Sequence, residues 1–209
     1  MADVGAKSPR ERFREQVRGE IKQHAWEQIG TAGAAALSLN AIAKQVGMSG
    51  PALYRYFASR DELITELIRD AYRSLADALR AALDSGADVA GLANTVREWA
   101  LRDPQRYLLI YGTPVPGYHA PAETTAISDE ILTVLLEAHG RLPARPATAF
   151  DTHLEQHQSP EAAATMHRAL SFWTRVHGVL SLELAGHFNG MGFDPALLFA
   201  DEVESLLRP

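Results

Sequence analysis

Apolar residues along the chain recur at helical spacing almost throughout. Phe13, Val17, Ile21, Ala25 and Ile29 step by four, which predicts a first helix from about Pro9, capped by Ser8, to about Gly30. Ser38 precedes a short segment, Leu39–Val46, that stops at Gly47, and Ser49 precedes another that ends near Phe57. Leu63, Leu67, Ala71, Leu75 and Leu79 mark one face of a long helix from about Arg60, broken by Asp84-Ser85-Gly86. Further helices are predicted from Asp88 to Leu101, after Asp103-Pro104, over Glu123–Ala138, over Thr148–Gln156, from Ser159-Pro160 to about His187, and from Asp194-Pro195 through Leu207. Gly112–Pro121, with three prolines and two glycines, is predicted to be irregular. No stretch alternates with a period of two, so the expected fold class is all-α.

The window Leu39–Ala58 has the pattern of a helix-turn-helix. Ile42 and Val46 give its first helix an apolar face, and Leu53, Tyr56 and Phe57 do so for the second. Ala43 is small where two steeply crossing helices leave room for a methyl group, and Gly47 suits a left-handed turn. Met48 can plug the corner, and Ser49 can cap the helix that would enter a DNA major groove. Residues outward on Ser49–Arg55 would then read bases. Arg55 can pair bidentately with guanine or touch only phosphate, Gly50 and Pro51 would let the backbone approach, and Ala52 can meet a thymine methyl. Lys44 reads either as a phosphate contact or as a solvated helix face.

Ser38-Leu-Asn-Ala-Ile-Ala-Lys-Gln-Val-Gly-Met-Ser49, Ala52-Leu-Tyr-Arg-Tyr-Phe57 and Ser59-Arg-Asp-Glu-Leu63 resemble the DNA-binding region of TetR-family transcriptional regulators. The resemblance covers roughly Arg10–Leu75. It implies a three-helix DNA-binding head, here residues 9–58, and a connecting fourth helix over 59–84. A helical-bundle ligand-binding and dimerisation body over 85–209 would follow, in a homodimer. It also implies phosphate contacts from Ser38, Asn40 and Tyr54, and from Arg60, which replaces the more usual lysine. The implied partners are double-stranded DNA with a palindromic operator, a second copy of the chain and an unknown small-molecule effector. No membrane, cofactor or metal is expected, and the expected location is the cytoplasm, at the nucleoid.

In the body, Met166, Leu170, Trp173, His177, Leu180, Leu184 and His187 step by four and three as a heptad seam. Beside them run the small residues Thr174, Gly178, Ser181 and Ala185, which would admit a close helix neighbour. With Phe199, Val203 and Leu206 of the last helix they form the expected dimer interface, a four-helix arrangement about a two-fold axis. Trp173-x-x-x-His177-Gly178, with Asp103-Pro104 and Pro114-Val-Pro-Gly-Tyr118, is similar to a TetR C-terminal subtype named for a Trp-His-Gly motif. His177 could be a satisfied core residue, a pocket hydrogen-bonder or a metal ligand. Trp99, Tyr107, Tyr111 and Phe172 read equally as pocket walls or as plain core, and Trp173 is the remaining pocket candidate. His153 and His157 have metal-compatible spacing, but Leu154 stands where a zincin places glutamate.

Composition narrows the function further. The chain of 209 residues has no cysteine, which excludes disulfides, thiol catalysis and cysteine-ligated zinc. Met1–Arg18 has no apolar core region, so no signal peptide is expected. The net charge of −6 argues against a general DNA coat. It divides into +2 over Met1–Arg80 (12 Lys+Arg, 10 Asp+Glu) and −8 over Ala81–Pro209 (8 Lys+Arg, 16 Asp+Glu). A mildly basic head on an acidic body fits a regulator whose binding is specific and salt-dependent. The competing classes are a helical enzyme using Asp151, Glu155 or Glu183 with the histidines, and an interaction module with a vestigial helix-turn-helix. No nucleophile elbow, phosphate loop or metal motif supports an enzyme.

Overall fold

Ser8 opens helix α1 (Pro9–Ala32) with a reciprocal cap. Its hydroxyl accepts from the Glu11 N–H at 3.3 Å, and the Glu11 carboxylate accepts from the Ser8 N–H at 2.7 Å. The computed structural model describes residues 8–119 and 121–208, so the stretch before Ser8, part of the region read for a signal peptide, lies outside it. Among the described residues there is no strand. Contacts divide the chain into two units, one running up to Arg69 and including the segment from Thr113, the other from Asp70 to Gly112 and from Pro121 onward.

The first unit holds α1, a 3-10 turn at Ala34–Ala36, α2 (Leu39–Gln45), α3 (Gly50–Leu53) and the opening turns of α4 (Arg60–Asp84). Val17, Ile21, Ala25 and Ile29 are buried as their spacing predicts, but Phe13 is 62% exposed, because the covered part of α1 begins at Val17. Ile42, Ala43, Leu53, Phe57, Leu63, Ile64 and Leu67 complete this core. Regular α3 is only four residues long. Its continuation tightens through Arg55 N–H to Ala52 C=O (3.3 Å) and Tyr56 N–H to Leu53 C=O (2.8 Å). The segment from Thr113 is irregular, as expected, with Val115 buried and the Tyr118 hydroxyl 3.0 Å from that of Thr65.

The second unit holds the rest of α4, then α5 (Val89–Arg102), α6 (Pro104–Tyr111), α7 (Ala122–His139), α8 (Ala149–Leu154), α9 (Pro160–Leu184) and α10 (Pro195–Leu207). Ala71, Leu75 and Leu79 of α4 are fully buried here. The core face of α9 is Ala169, Phe172, Val176, Val179 and Leu180, of which only Leu180 belongs to the heptad seam. Met166, Leu170, Trp173 and His177 lie half-buried beside it. Phe199 and Val203 do not form an open interface: they are 2% and 7% exposed inside the chain's own core. Arg97 of α5 sits 5.5 Å over the Phe199 ring and pairs with Glu183 of α9 at 2.7 Å. Both residues therefore serve α10's attachment to α5 and α9, and Leu206 is half-buried there too.

Candidate nucleic-acid interface and effector cluster

Burial divides the helix-turn-helix into two faces. Ser38 caps α2, its hydroxyl accepting from the Ala41 N–H at 3.4 Å, while Asn40 and Lys44 are exposed. Gly47 has φ +69, and the Met48 N–H then reaches the Ala43 carbonyl at 2.8 Å to set the corner. A Cβ at Gly47 would meet nothing within 4 Å, so only the backbone conformation requires glycine. Gly47→Ala should therefore lower the unfolding free energy by about 1–2 kcal/mol, read from chemical denaturation. A loss below about 0.3 kcal/mol would contradict that account.

Beyond the corner, Ser49, Pro51, Tyr54 and Arg55 are exposed and Gly50 and Ala52 half-buried, while Leu53 and Phe57 are fully buried. A Cβ at Gly50 would stand 3.4 Å from the Asn40 side-chain oxygen, an ordinary contact, so this position faces α2 without requiring glycine. The structure thus brings nine of the ten candidate DNA-contacting residues into one short stretch with accessible side chains or backbone. Arg60 departs from expectation. Its guanidinium donates to the carbonyls of Ala34 (2.8 Å), Ala35 (3.1 Å) and Leu37 (3.2 Å), and it pairs with Asp61 at 3.6 Å. A forked donor replaces lysine's point charge here, and it clamps the 3-10 turn while its side chain stays partly exposed.

Two supporting residues were not foreseen. Arg18 of α1 donates to the Tyr56 carbonyl, lies 4.1 Å over the Phe57 ring and pairs with Glu66 at 3.4 Å. Gln28 accepts from the Ser38 N–H at 3.0 Å. Each fixes one end of the helix-turn-helix. The only trace in the sequence is a polar residue flanking the apolar stripe of α1, a pattern that does not name its acceptor.

In the second unit, four of the six candidate pocket residues converge. The Tyr107 hydroxyl lies 2.9 Å from His177 Nδ1, and the His177 ring stands 4.3 Å from Tyr111 and 4.0 Å from Trp173 between centroids. Tyr72 of α4 packs edge-on to Tyr111 at 5.9 Å. Burial pushes the Tyr107 phenol up to about 12 and raises Tyr111 further, so both stay protonated. The Tyr111 hydroxyl and His177 Nε2 are buried with no hydrogen-bond partner among the described residues. Trp99 and Phe172 are engaged elsewhere: the Trp99 indole N–H donates to Ser74 at 2.9 Å, and Phe172 packs on His139 at 5.2 Å. Neither forms a wall of the cluster.

Burial lowers His177 from 6.5 to about 4, which keeps its ring neutral near pH 7. Between those values the unfolded chain binds a proton that the folded chain does not, so stability falls as pH drops. His177 alone should remove about 2 kcal/mol by pH 5. Urea unfolding at pH 7.5 and pH 5 should show that loss in the parent and lack it in His177→Gln; equal losses in both would refute this assignment.

Among the described residues, no three metal-capable side chains are grouped, and His153 and His157 are exposed. No described helix is long and apolar enough to cross a membrane.

Residues 21–67 match the family described as bacterial regulatory proteins, tetR family, and residues 89–206 match the tetracyclin repressor-like C-terminal domain. An HTH-type transcriptional regulator of Mycobacterium tuberculosis is 35% identical over 215 residues, spanning 93% of this chain and 92% of that protein. The crystal structure of SCO4313, a protein described as regulatory, is 65% identical with a TM-score of 0.89, covering 97% of this chain and 100% of that one. A bacterial regulatory protein in the tetR family from Rhodococcus RHA1 shares the fold, with a TM-score of 0.64 at 16% identity over 92% of this chain and 96% of its own.

Proposed function

This chain belongs to the TetR family of bacterial transcriptional regulators, and we propose that it is a cytoplasmic repressor acting as a homodimer at a palindromic operator on the nucleoid. Family membership makes it a regulator and not an enzyme. The observation that carries the DNA-reading assignment is the division of the helix-turn-helix. Ser38, Asn40, Lys44, Ser49, Tyr54 and Arg55 are exposed, whereas Ile42, Ala43, Leu53 and Phe57 are buried. Hydroxyls, amides and cations left on the outer face are the groups that hold phosphate and read base edges.

The dimer surface is the small-residue stripe of α9. Thr174, Gly178 and Ala185 are exposed and Ser181 is half-buried, and a Cβ at Gly178 would meet nothing within 4 Å. Leu182 on the same helix and Leu197 of α10 are 44% and 71% exposed, apolar surface that a second copy would cover. The effector would occupy the aromatic cluster, where the Tyr111 hydroxyl and His177 Nε2 supply unused polar atoms. Its size and shape would be felt by Tyr72, which belongs to α4, the helix shared by both units. An effector that prefers the low-affinity state by a few kcal/mol changes DNA binding by an order of magnitude or more.

Selection of bound DNA from a random pool, footprinting and release by a small-molecule panel tests the whole reading. The expected result is a two-fold symmetric footprint that at least one uncharged aromatic compound releases. An asymmetric footprint refutes the two-headed mode, and release unaffected by Tyr111→Phe and His177→Phe together refutes the effector site.

A further inference from the structure

The second unit also contains a cleft of about 330 Å³, at the lower end of the size of small-molecule sites. It lies away from the aromatic cluster, between the end of α7, residues 142–148, the middle of α9 and the end of α10. Four arginines and no acidic residue line it, together with apolar walls from Val89, Leu142 and Leu206. Its charge balance is specific. Arg145 and the lining residue His167 share the Asp151 carboxylate, Arg145 through two contacts of 3.0 Å and His167 Nδ1 at 2.8 Å. Arg175 is paired with Glu202 at 3.5 Å and Arg208 with Glu204 at 3.0 Å.

Arg168 differs from the other three. Its guanidinium donates to the carbonyls of Leu142 (3.4 Å) and Pro143 (2.5 Å), which are neutral acceptors. Its charge has no carboxylate ion-pair partner among the described residues. Burial and the neighbouring Arg145 charge lower its pKa, with Asp151 partly offsetting them. A half-buried guanidinium in that setting favours an incoming anion. His139, on the same wall, donates its Nδ1–H to the Leu135 carbonyl at 2.7 Å and is kept neutral-leaning by burial, so it adds no second charge.

We propose that this cleft binds a small amphipathic carboxylate. Its charged end meets Arg168, with the Ser171 side chain on the same wall, and its apolar end lies on Val89, Leu142 and Leu206. One uncompensated guanidinium selects a monoanion; a phosphate monoester would leave a second negative charge unpaired in a partly dry site. The apolar walls require a hydrocarbon portion and exclude acetate. This site is additional to the effector cluster and stands or falls independently of it.

Isothermal titration of the full-length chain with octanoate, octanol, octyl phosphate and acetate tests the assignment. Octanoate should bind once per chain, with each of the other three weaker by about tenfold or more. Ser171→Asp places a fixed negative charge in the cleft without touching the carbonyl contacts of Arg168, and should abolish octanoate binding. Arg168→Met should weaken it at least about tenfold, while Tyr111→Phe with His177→Phe should leave it unchanged. The proposal is overturned if octanoate does not bind, if octanol or octyl phosphate binds as well, or if Ser171→Asp has no effect. It is equally overturned if the Tyr111 and His177 replacements remove binding, which would place the carboxylate in the aromatic cluster.

Discussion

Replacing Tyr54 and Arg55 together by alanine should lower operator affinity by about three orders of magnitude while leaving the fold intact. Both side chains are exposed, and the backbone groups that shape this turn do not depend on them: the Tyr54 N–H reaches the Gly50 carbonyl at 3.1 Å and the Arg55 N–H the Ala52 carbonyl at 3.3 Å. A bidentate arginine–guanine pair contributes about 1–3 kcal/mol, and a hydroxyl–phosphate bond about 1 kcal/mol. In the proposed two-headed dimer each substitution acts twice, so the combined loss is about 4 kcal/mol or more. Arg55→Ala alone then separates base reading from phosphate contact. If Arg55 reads guanine, the selected sequence relaxes at one position in each half-site. If it touches phosphate, affinity falls equally on all sequences and the salt dependence weakens by about one ion per head. Fluorescence anisotropy across a salt series measures both. Undiminished binding by the double variant would remove this stretch from the interface.

That expectation rests on features legible from residue order. The four-residue step of α1, the Gly47 corner and the apolar faces of Ile42 and Leu53 are local patterns, and local hydrogen bonding enforces them. The long stripe of α4 was equally clear, because Leu63, Leu67, Ala71, Leu75 and Leu79 are all fully buried. Less legible was which neighbour covers an apolar face. Phe199 and Val203 are spaced for an interface, but spacing is the same whether the partner is α9 of this chain or of another. The heptad of α9 does not share one environment: its Leu180 lies in the core with Phe172 and Val176, while its Trp173 and His177 face the aromatic cluster for which they are candidates. Arg60 shows the third limit. A cation at a helix start suits phosphate, yet the Arg60 guanidinium is held by the carbonyls of Ala34, Ala35 and Leu37, 23 to 26 residues away in sequence.

Asp151, by sequence a candidate acid–base group, has surroundings that assign it a structural role with a large expected effect. It is 1% exposed and caps α8 as the third residue of a capping box with Thr148. Its carboxylate accepts two bonds from Arg145 at 3.0 Å, one from the Thr148 N–H at 2.7 Å and one from the Thr148 hydroxyl at 2.8 Å, and it lies 2.8 Å from His167 Nδ1. Burial alone would raise its pKa, but those bonds outweigh it and hold the carboxyl well below its ordinary range. Asp151→Ala should therefore cost about 3 kcal/mol at pH 7. Breaking a buried pair costs about 3–5 kcal/mol, and Arg145 and His167, each 21% exposed, can recover part of their loss from water. Asp151→Asn keeps the shape and one acceptor, so it should cost less. The pH signature identifies the carboxylate. A depressed folded pKa contributes stability above the unfolded value near 3.9, and that contribution disappears as pH falls below it. The gap between parent and Asp151→Ala should stay constant from pH 7 to pH 5, where His177 is already eroding both chains equally, and close only below about pH 4. A gap under 1 kcal/mol at pH 7, or one that closes by pH 5, would show that the network around Asp151 does not hold α8 in place.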